Sequence, residues 1–268
     1  MPCAMCYNRH MQKKKTAIII ISVLAFIVIA ACAIVPGSLY ANGLLATAHP
    51  LNKAKDGQIR VACVGDSLTY GYGISGWAKN NYPAQMGKLL GDEFCVNNFG
   101  FSGRTASFEG DRPYVNEKLY RQSLDFAPEI VVLMLGSNDT KAMNWRGKEA
   151  FKDDYKKIIK SYTALDSVRK VFIMSPTPVF MKDGKAPYGI NIELVATDVH
   201  DVAKELASEM NLFYIDLYKI FEDRQNLFKD GAHPNAEGAG IIAKEVGEYV
   251  AQVAHIVCVI RPEEEFLI

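Results

Sequence analysis

Two unbroken apolar runs constrain this chain more than any other feature: IVVLML at residues 130–135 and VFIM at 171–174. Runs of four to six apolar residues are too short for buried helices and suit strands covered on both faces. Three further runs of similar length complete a set, so strands are expected at Ile59–Val64, Glu93–Asn98, Glu129–Leu135, Lys170–Ser175 and Leu212–Asp216. Longer amphipathic stretches separate them, at Tyr82–Leu90, Tyr114–Phe126, Gly147–Ala164 and Ile192–Met210. In the last, Val195, Val199, Val202 and Leu206 recur at helical spacing and form an inward stripe. A closing helix is expected over Pro234–Ala251, with proline at a favoured first-turn position. Strands alternating with helices predict an α/β domain: three layers, α/β/α, around a five-stranded parallel sheet. In such folds ligands sit outside the carboxyl ends of the strands, so chemistry should be sought just after each run.

The N-terminal fifty residues are of another kind. Thr16 to Val35 is a 20-residue run without a charged side chain, long enough as a helix to span the ~30 Å hydrocarbon core of a bilayer. Arg9, Lys13, Lys14 and Lys15 precede it, which predicts a cytoplasmic N-terminus and an extracytoplasmic remainder. Ala46-Thr47-Ala48 offers a signal-peptide cleavage site, Cys32 in Ile29-Ala30-Ala31-Cys32 resembles a lipidation site, and retention as a membrane anchor is the third outcome. The expected organisation is a tail plus signal peptide or anchor at 1–48, a polar linker at 49–58, the folded domain at 59–254 and a C-terminal tail at 255–268. With 30 Lys+Arg against 30 Asp+Glu, the chain lacks the basic excess that nucleic-acid binding requires. Six cysteines in a chain of 268 residues make no disulfide framework, and Cys63 and Cys95, inside strand-like runs, are expected to pack as small hydrophobes.

Polar residues do follow the strands. The first run leads into Val64-Gly65-Asp66-Ser67-Leu68-Thr69, the second into Asn97-Asn98-Phe99-Gly100-Phe101-Ser102-Gly103, and the third into Gly136-Ser137-Asn138-Asp139; a late loop reads Lys229-Asp230-Gly231-Ala232-His233-Pro234. A serine hydroxyl becomes a nucleophile only when a base takes its proton, and neutral histidine is the usual base near pH 7. Asp230 and His233, three apart on a turn, suit a carboxylate that holds one imidazole nitrogen while the other faces Ser67. Asp66 is adjacent to Ser67 and cannot form that relay; a local turn bond is expected of it. Asp139 is read as structural.

These blocks, in this order, resemble the SGNH or GDSL family of serine ester hydrolases: Ser67 in G-D-S-L, Gly103, Asn138 in G-S-N-D, and His233 in D-G-A-H-P. Ser137 stands where the family commonly has threonine. The resemblance covers residues 59–250 and implies a flavodoxin-like SGNH hydrolase fold. It implies a catalytic triad of Ser67, Asp230 and His233. It also implies an oxyanion hole made by the backbone N–H groups of Ser67 and Gly103 and the Asn138 amide. No metal or cofactor is called for. The implied reaction is ester hydrolysis through an acyl-serine intermediate, and the stretch from Gly136 to Trp145 is similar to that of bacterial carbohydrate or sialate O-acetylesterases. The lead expectation is therefore removal of O-acetyl groups from an extracytoplasmic glycan, with lysophospholipase or thioesterase activity as the alternative.

Tyr70, Tyr72, Trp77 and Trp145 lie in loop-like sequence and are expected to rim the site, with Tyr70, Tyr72 and Trp145 as candidate substrate-lining residues. Met181 to Ile190 reads as a lid or a plain connector. A reading from another class comes from Gly71-Tyr72-Gly73-Ile74-Ser75-Gly76, which matches the dinucleotide-binding pattern and would make the chain an oxidoreductase. It is disfavoured because six residues separate it from the strand end at Val64. A non-catalytic carbohydrate-binding domain would require the loss of Ser67, Asp230 or His233.

Overall fold

The computed structural model describes residues 49–260, with side chains to residue 254. The apolar run at 16–35, the candidate cleavage and lipidation sites and residues 261–268 lie outside the described residues. Among the described residues no helix is long and apolar enough to cross a membrane.

The strands are β1 (Ile59–Gly65), β2 (Phe94–Gly100), β3 (Ile130–Met134), β4 (Lys170–Met174) and β5 (Phe213–Ile215). All neighbouring pairs are parallel and the order is β2-β1-β3-β4-β5, the flavodoxin-like arrangement. Successive strand residues point to opposite faces, and the core divides accordingly. Val61, Cys63, Val132, Met134, Phe172 and Met174 face one layer, built from helices α3 (Tyr82–Leu90), α7 (Leu217–Phe221) and α8 (Ala236–Ile260). Ala62, Val64, Val131, Leu133, Val171 and Ile173 face the other, built from α4 (Lys118–Asp125), α5 (Lys148–Thr163) and α6 (192–209). This two-sided burial is why β3 carries no polar position and β4 only Lys170, at its half-buried start. Cys63 and Cys95 are buried free thiols, as expected of small hydrophobes.

Several boundaries differ from the sequence reading, each for a local reason. Residues 114–126 are not one helix. Tyr114–Asn116 is a 3-10 turn whose Tyr114 N–H bonds the Thr105 carbonyl and whose hydroxyl donates to Phe99 O at 2.7 Å, so this turn belongs to the loop after β2. Helix α6 contains a π-turn at Val195–Val199. Helix α8 starts at Ala236, because Asn235 caps it by accepting from the Gly238 N–H at 2.9 Å; Pro234 therefore lies outside the helix. At its far end α8 runs to Ile260, into what the sequence suggested was tail. Two single-turn helices escaped the periodicity argument: α1 (Ser67–Tyr70) and α2 (Trp77–Asn80). The polar linker is not free either: the His49 ring is buried, its Nε2 lies 2.8 Å from Tyr70 O, and burial depresses its pKa to about 4.

Candidate active site

The side on which successive strands are added switches at β1, between β2 and β3, and the candidate residues gather at that switch. β1 ends at Gly65, and Asp66 caps α1 by accepting from the Leu68 N–H at 3.0 Å, which makes Ser67 the first residue of the turn. The turn fits because Gly65 and Gly100 pair in register on adjacent strands. A Cβ on Gly65 would lie 2.5 Å from the Met134 carbonyl oxygen and inside the Thr69 side chain; one on Gly100 would lie 2.7 Å from the Thr69 carbonyl carbon. Two missing side chains thus make the notch in which α1 sits.

On the opposite side, the loop before α8 brings in Asp230 and His233. Asp230 Oδ1 accepts the N–H groups of Ala232 at 3.0 Å and His233 at 2.8 Å, which fixes the loop. Its Oδ2 lies 2.7 Å from His233 Nδ1, and His233 Nε2 lies 2.9 Å from Ser67 Oγ. A carboxylate only accepts, so Nδ1 carries the proton and Nε2 presents its lone pair to the serine hydroxyl. Burial pushes the Asp230 carboxyl up, but the His233 hydrogen bond and charge and the two backbone N–H groups outweigh it and hold it well below the usual carboxylate range. Asp230 therefore stays ionised wherever His233 acts as a base.

The three expected oxyanion donors meet at the same edge. Among the described residues, neither the Ser67 nor the Gly103 backbone N–H meets a protein acceptor. The Asn138 amide does: Nδ2 donates to Asp66 Oδ2 and to Arg104 O, each at 3.1 Å. Asp66 thus steadies Asn138 as well as capping α1, a second task not apparent in the sequence. Buried beneath, Asp139 accepts the N–H groups of Ala106 and Ser107 at 3.1 and 2.8 Å, and so ties the post-β2 loop to the post-β3 turn. Burial raises the Asp66 carboxyl to about 6 and the Asp139 carboxyl to about 7. Asn144 completes the brace, donating to Asn138 O at 2.9 Å and to Asp111 Oδ1 at 2.9 Å.

Ser67, Gly103, Asn138, His233, Tyr72 and Tyr188 border one cavity of about 260 Å³. Tyr72 is at the site as expected, its ring 4.7 Å from that of His233. Tyr70 and Trp77 are not. The helical turn of α1 sends Tyr70 into the core, fully buried and stacked on Trp77 at 4.8 Å. Trp145 borders a neighbouring cavity of about 540 Å³ that shares Ile190 with the first. Sequence reasoning missed Tyr188, which lies in the 181–190 segment: its hydroxyl donates to Asp230 Oδ2 at 2.8 Å, and its ring meets His233 edge-on at 5.1 Å. The segment therefore walls the site. The glycine pattern at 71–76 plays a different part: Gly71, with φ 86°, caps the C-terminus of α1 in the left-handed conformation, and no long helix opens after it.

Fold and relay together place the molecule among three-layer α/β proteins that hold a serine, a histidine and a carboxylate in line at the carboxyl edge of the sheet. The chain belongs to the GDSL-like lipase/acylhydrolase family, whose model matches residues 63–241. It is 35% identical over 215 residues to an acetylxylan esterase of Xylanibacter ruminicola, covering 74% of this chain and 43% of that protein. It is also 24% identical over 148 residues to the GDSL esterase/lipase CPRD49 of Arabidopsis thaliana, covering 49% and 58%. The chain thus spans about half the length of these relatives. A solved carbohydrate acetylesterase family member from Sinorhizobium meliloti superimposes with a TM-score of 0.62 at 22% identity, covering 74% of this chain and all of that one, which bears on the fold alone.

Proposed function

We propose that this protein is a serine ester hydrolase that removes O-acetyl groups from a carbohydrate. The observation that carries the reading is the continuous relay from Asp230 through His233 to Ser67, at 2.7 and 2.9 Å. The acetylxylan esterase relationship supports the choice of substrate class. A cavity of about 260 Å³ beside Ser67 suits a short acyl group better than a long chain. The reaction is placed outside the cytoplasm, with the N-terminal segment as the link to the membrane, on the sequence of residues 13–35.

In this mechanism His233 Nε2 takes the Ser67 proton as Oγ bonds the acetyl carbonyl carbon. The carbonyl oxygen becomes an oxyanion held by the Ser67 and Gly103 N–H groups. Asn138 keeps one amide hydrogen on Asp66 and turns the other from Arg104 O toward the oxyanion. Each such donor is worth roughly 10²–10³ in turnover. As the tetrahedral centre collapses, the sugar oxygen leaves with the proton from Nε2, and acetyl stays on Ser67. Water then attacks the acyl-serine while His233 takes its proton; collapse releases acetate and returns a proton to Oγ.

The test uses the full chain with p-nitrophenyl acetate, p-nitrophenyl octanoate and acetylated xylo-oligosaccharides. Acetyl esters should be preferred, and Ser67→Ala should remove the activity. Activity surviving in Ser67→Ala would overturn the nucleophile assignment, and a preference for octanoate would overturn the acetylesterase reading in favour of a lipid or thioester substrate.

A further inference from the structure

Three cations border the cavity that holds Ser67: Arg104, Arg112 and Lys141. Since the whole chain balances 30 basic against 30 acidic residues, this is a local concentration. Their surroundings differ. Arg104 is already neutralised, with Nη2 2.7 Å from Glu117 Oε1, Nη1 on Ser102 O at 2.7 Å and its guanidinium 3.6 Å from the Phe101 ring centroid. Among the described residues Arg112 pairs only with Asp111, whose Oδ2 lies 4.0 Å from its Nε and whose Oδ1 accepts from the Asn144 amide at 2.9 Å. The Arg112 side chain is 62% exposed, yet its Nη1 stands 3.5 Å from where a Cβ on Gly103 would lie, so the guanidinium overhangs the candidate oxyanion hole. Among the described residues Lys141 makes no ion pair; its charge is felt by Asp66, the residue that steadies Asn138. The carboxylate on the cavity's other side, Asp230, already takes four hydrogen bonds from His233, Ala232 and Tyr188.

We infer that Arg112 and Lys141 form an anion subsite beside Ser67, and that the preferred substrate is an acetyl ester on a saccharide carrying a carboxylate, as in a uronate-containing oligosaccharide. The inference rests on the acetylesterase reading and adds the charge of the sugar to it. A planar guanidinium fork matches a carboxylate, and an ammonium supplies an adjustable second charge. In such glycans the carboxylate lies within one sugar ring of the ester, so it can reach the rim while the acetyl group lies over Ser67. The charges are partly solvated, which limits the effect to about a tenfold gain in kcat/KM at low salt, decreasing as ionic strength rises.

The experiment uses the full chain and three acetylated substrates: a glucuronate-bearing xylotriose, the same compound with its carboxyl reduced to the alcohol, and plain xylotriose. The expected ratio of kcat/KM for the acidic over the reduced substrate is about tenfold, a difference near 1.4 kcal/mol. It should fall toward unity in the Arg112→Gln/Lys141→Gln double variant and at high salt, and Arg112→Lys should retain part of it. Equal rates on acidic and reduced substrates, or a double variant that keeps the preference, would overturn the anion subsite and leave the esterase reading standing. Failure to hydrolyse any of the three, or p-nitrophenyl acetate, would overturn both.

Discussion

Replacing Asp230 by asparagine isolates the proton logic of the site while preserving its shape. In the native chain Oδ1 accepts two backbone N–H groups and Oδ2 accepts from His233 Nδ1 and the Tyr188 hydroxyl. An amide has one accepting oxygen, and the two backbone donors are best met if it takes the Oδ1 position. The amide nitrogen then occupies the Oδ2 position, giving one hydrogen to the Tyr188 oxygen and the other to His233 Nδ1. That reverses the imidazole tautomer: Nε2 now carries the hydrogen and has no lone pair for Ser67. The opposite amide orientation keeps the tautomer but leaves the Ala232 and His233 N–H groups unmet, at about 1–3 kcal/mol each. With the charge that stabilises the imidazolium also gone, the barrier should rise by about 5 kcal/mol, or ~10⁴ in kcat at 1.36 kcal/mol per tenfold. Every hydrogen bond of the loop has a substitute, so the melting temperature should move by only a few degrees. The measurements are kcat on p-nitrophenyl acetate and thermal unfolding by circular dichroism. A loss smaller than tenfold with an intact fold would show that Asp230 does not set the His233 tautomer.

Two other perturbations test the scaffold. Gly65→Ala places a methyl group 2.5 Å from the Met134 carbonyl oxygen, and should cost about 3 kcal/mol or more, lowering the melting temperature by roughly 6–12 °C; Gly247→Ala, whose added Cβ meets only Met86 Cγ at an ordinary 3.5 Å, is the control, and equal melting temperatures for the two variants would refute the notch. Asp139→Asn tests the buried carboxyl whose pKa rises from 3.8 to about 7 on folding. The folded chain holds this proton more tightly, so its contribution to stability is full below pH 3.8 and is lost as pH rises through about 7. Denaturant unfolding from pH 4 to 7 should therefore show the variant losing about 1.4 kcal/mol less per pH unit than the native chain, whatever its absolute stability. Parallel stability curves would refute the raised pKa.

What could be read from the sequence was what repeats along it or lies close together in it. The β3 and β4 runs announced a sheet covered on both faces, and Asp230 with His233 announced an acid and a base because a three-residue turn brings them together. Ser67, 166 positions from His233, was placed by its strand end and by resemblance, since no local spacing encodes that contact. The side-chain directions around it were harder. Tyr70 looked like a loop aromatic until the turn of α1 carried it into the core against Trp77, and His49 looked like linker until its ring found the Tyr70 carbonyl. Tyr188 sits 42 residues before Asp230, in a stretch that read as a lid or a plain connector without marking which of its side chains meets the site. Arg112 drew no notice because nothing in its own neighbourhood marks it; its meaning comes from the fold laying it over Gly103.

The glycine pair under α1 separates two things that an enzyme engineer would want separate. The reactive hydroxyl is seated on the sheet by the β1 main chain and the Asp66 cap, whereas Arg112, Lys141 and Tyr188 stand on three other connections. Those connections also carry Gly103, Asn138 and the Tyr188 contact to Asp230, so a library that varies selectivity belongs at single exposed side chains such as Arg112, with loop lengths kept and the bond-breaking apparatus left in register.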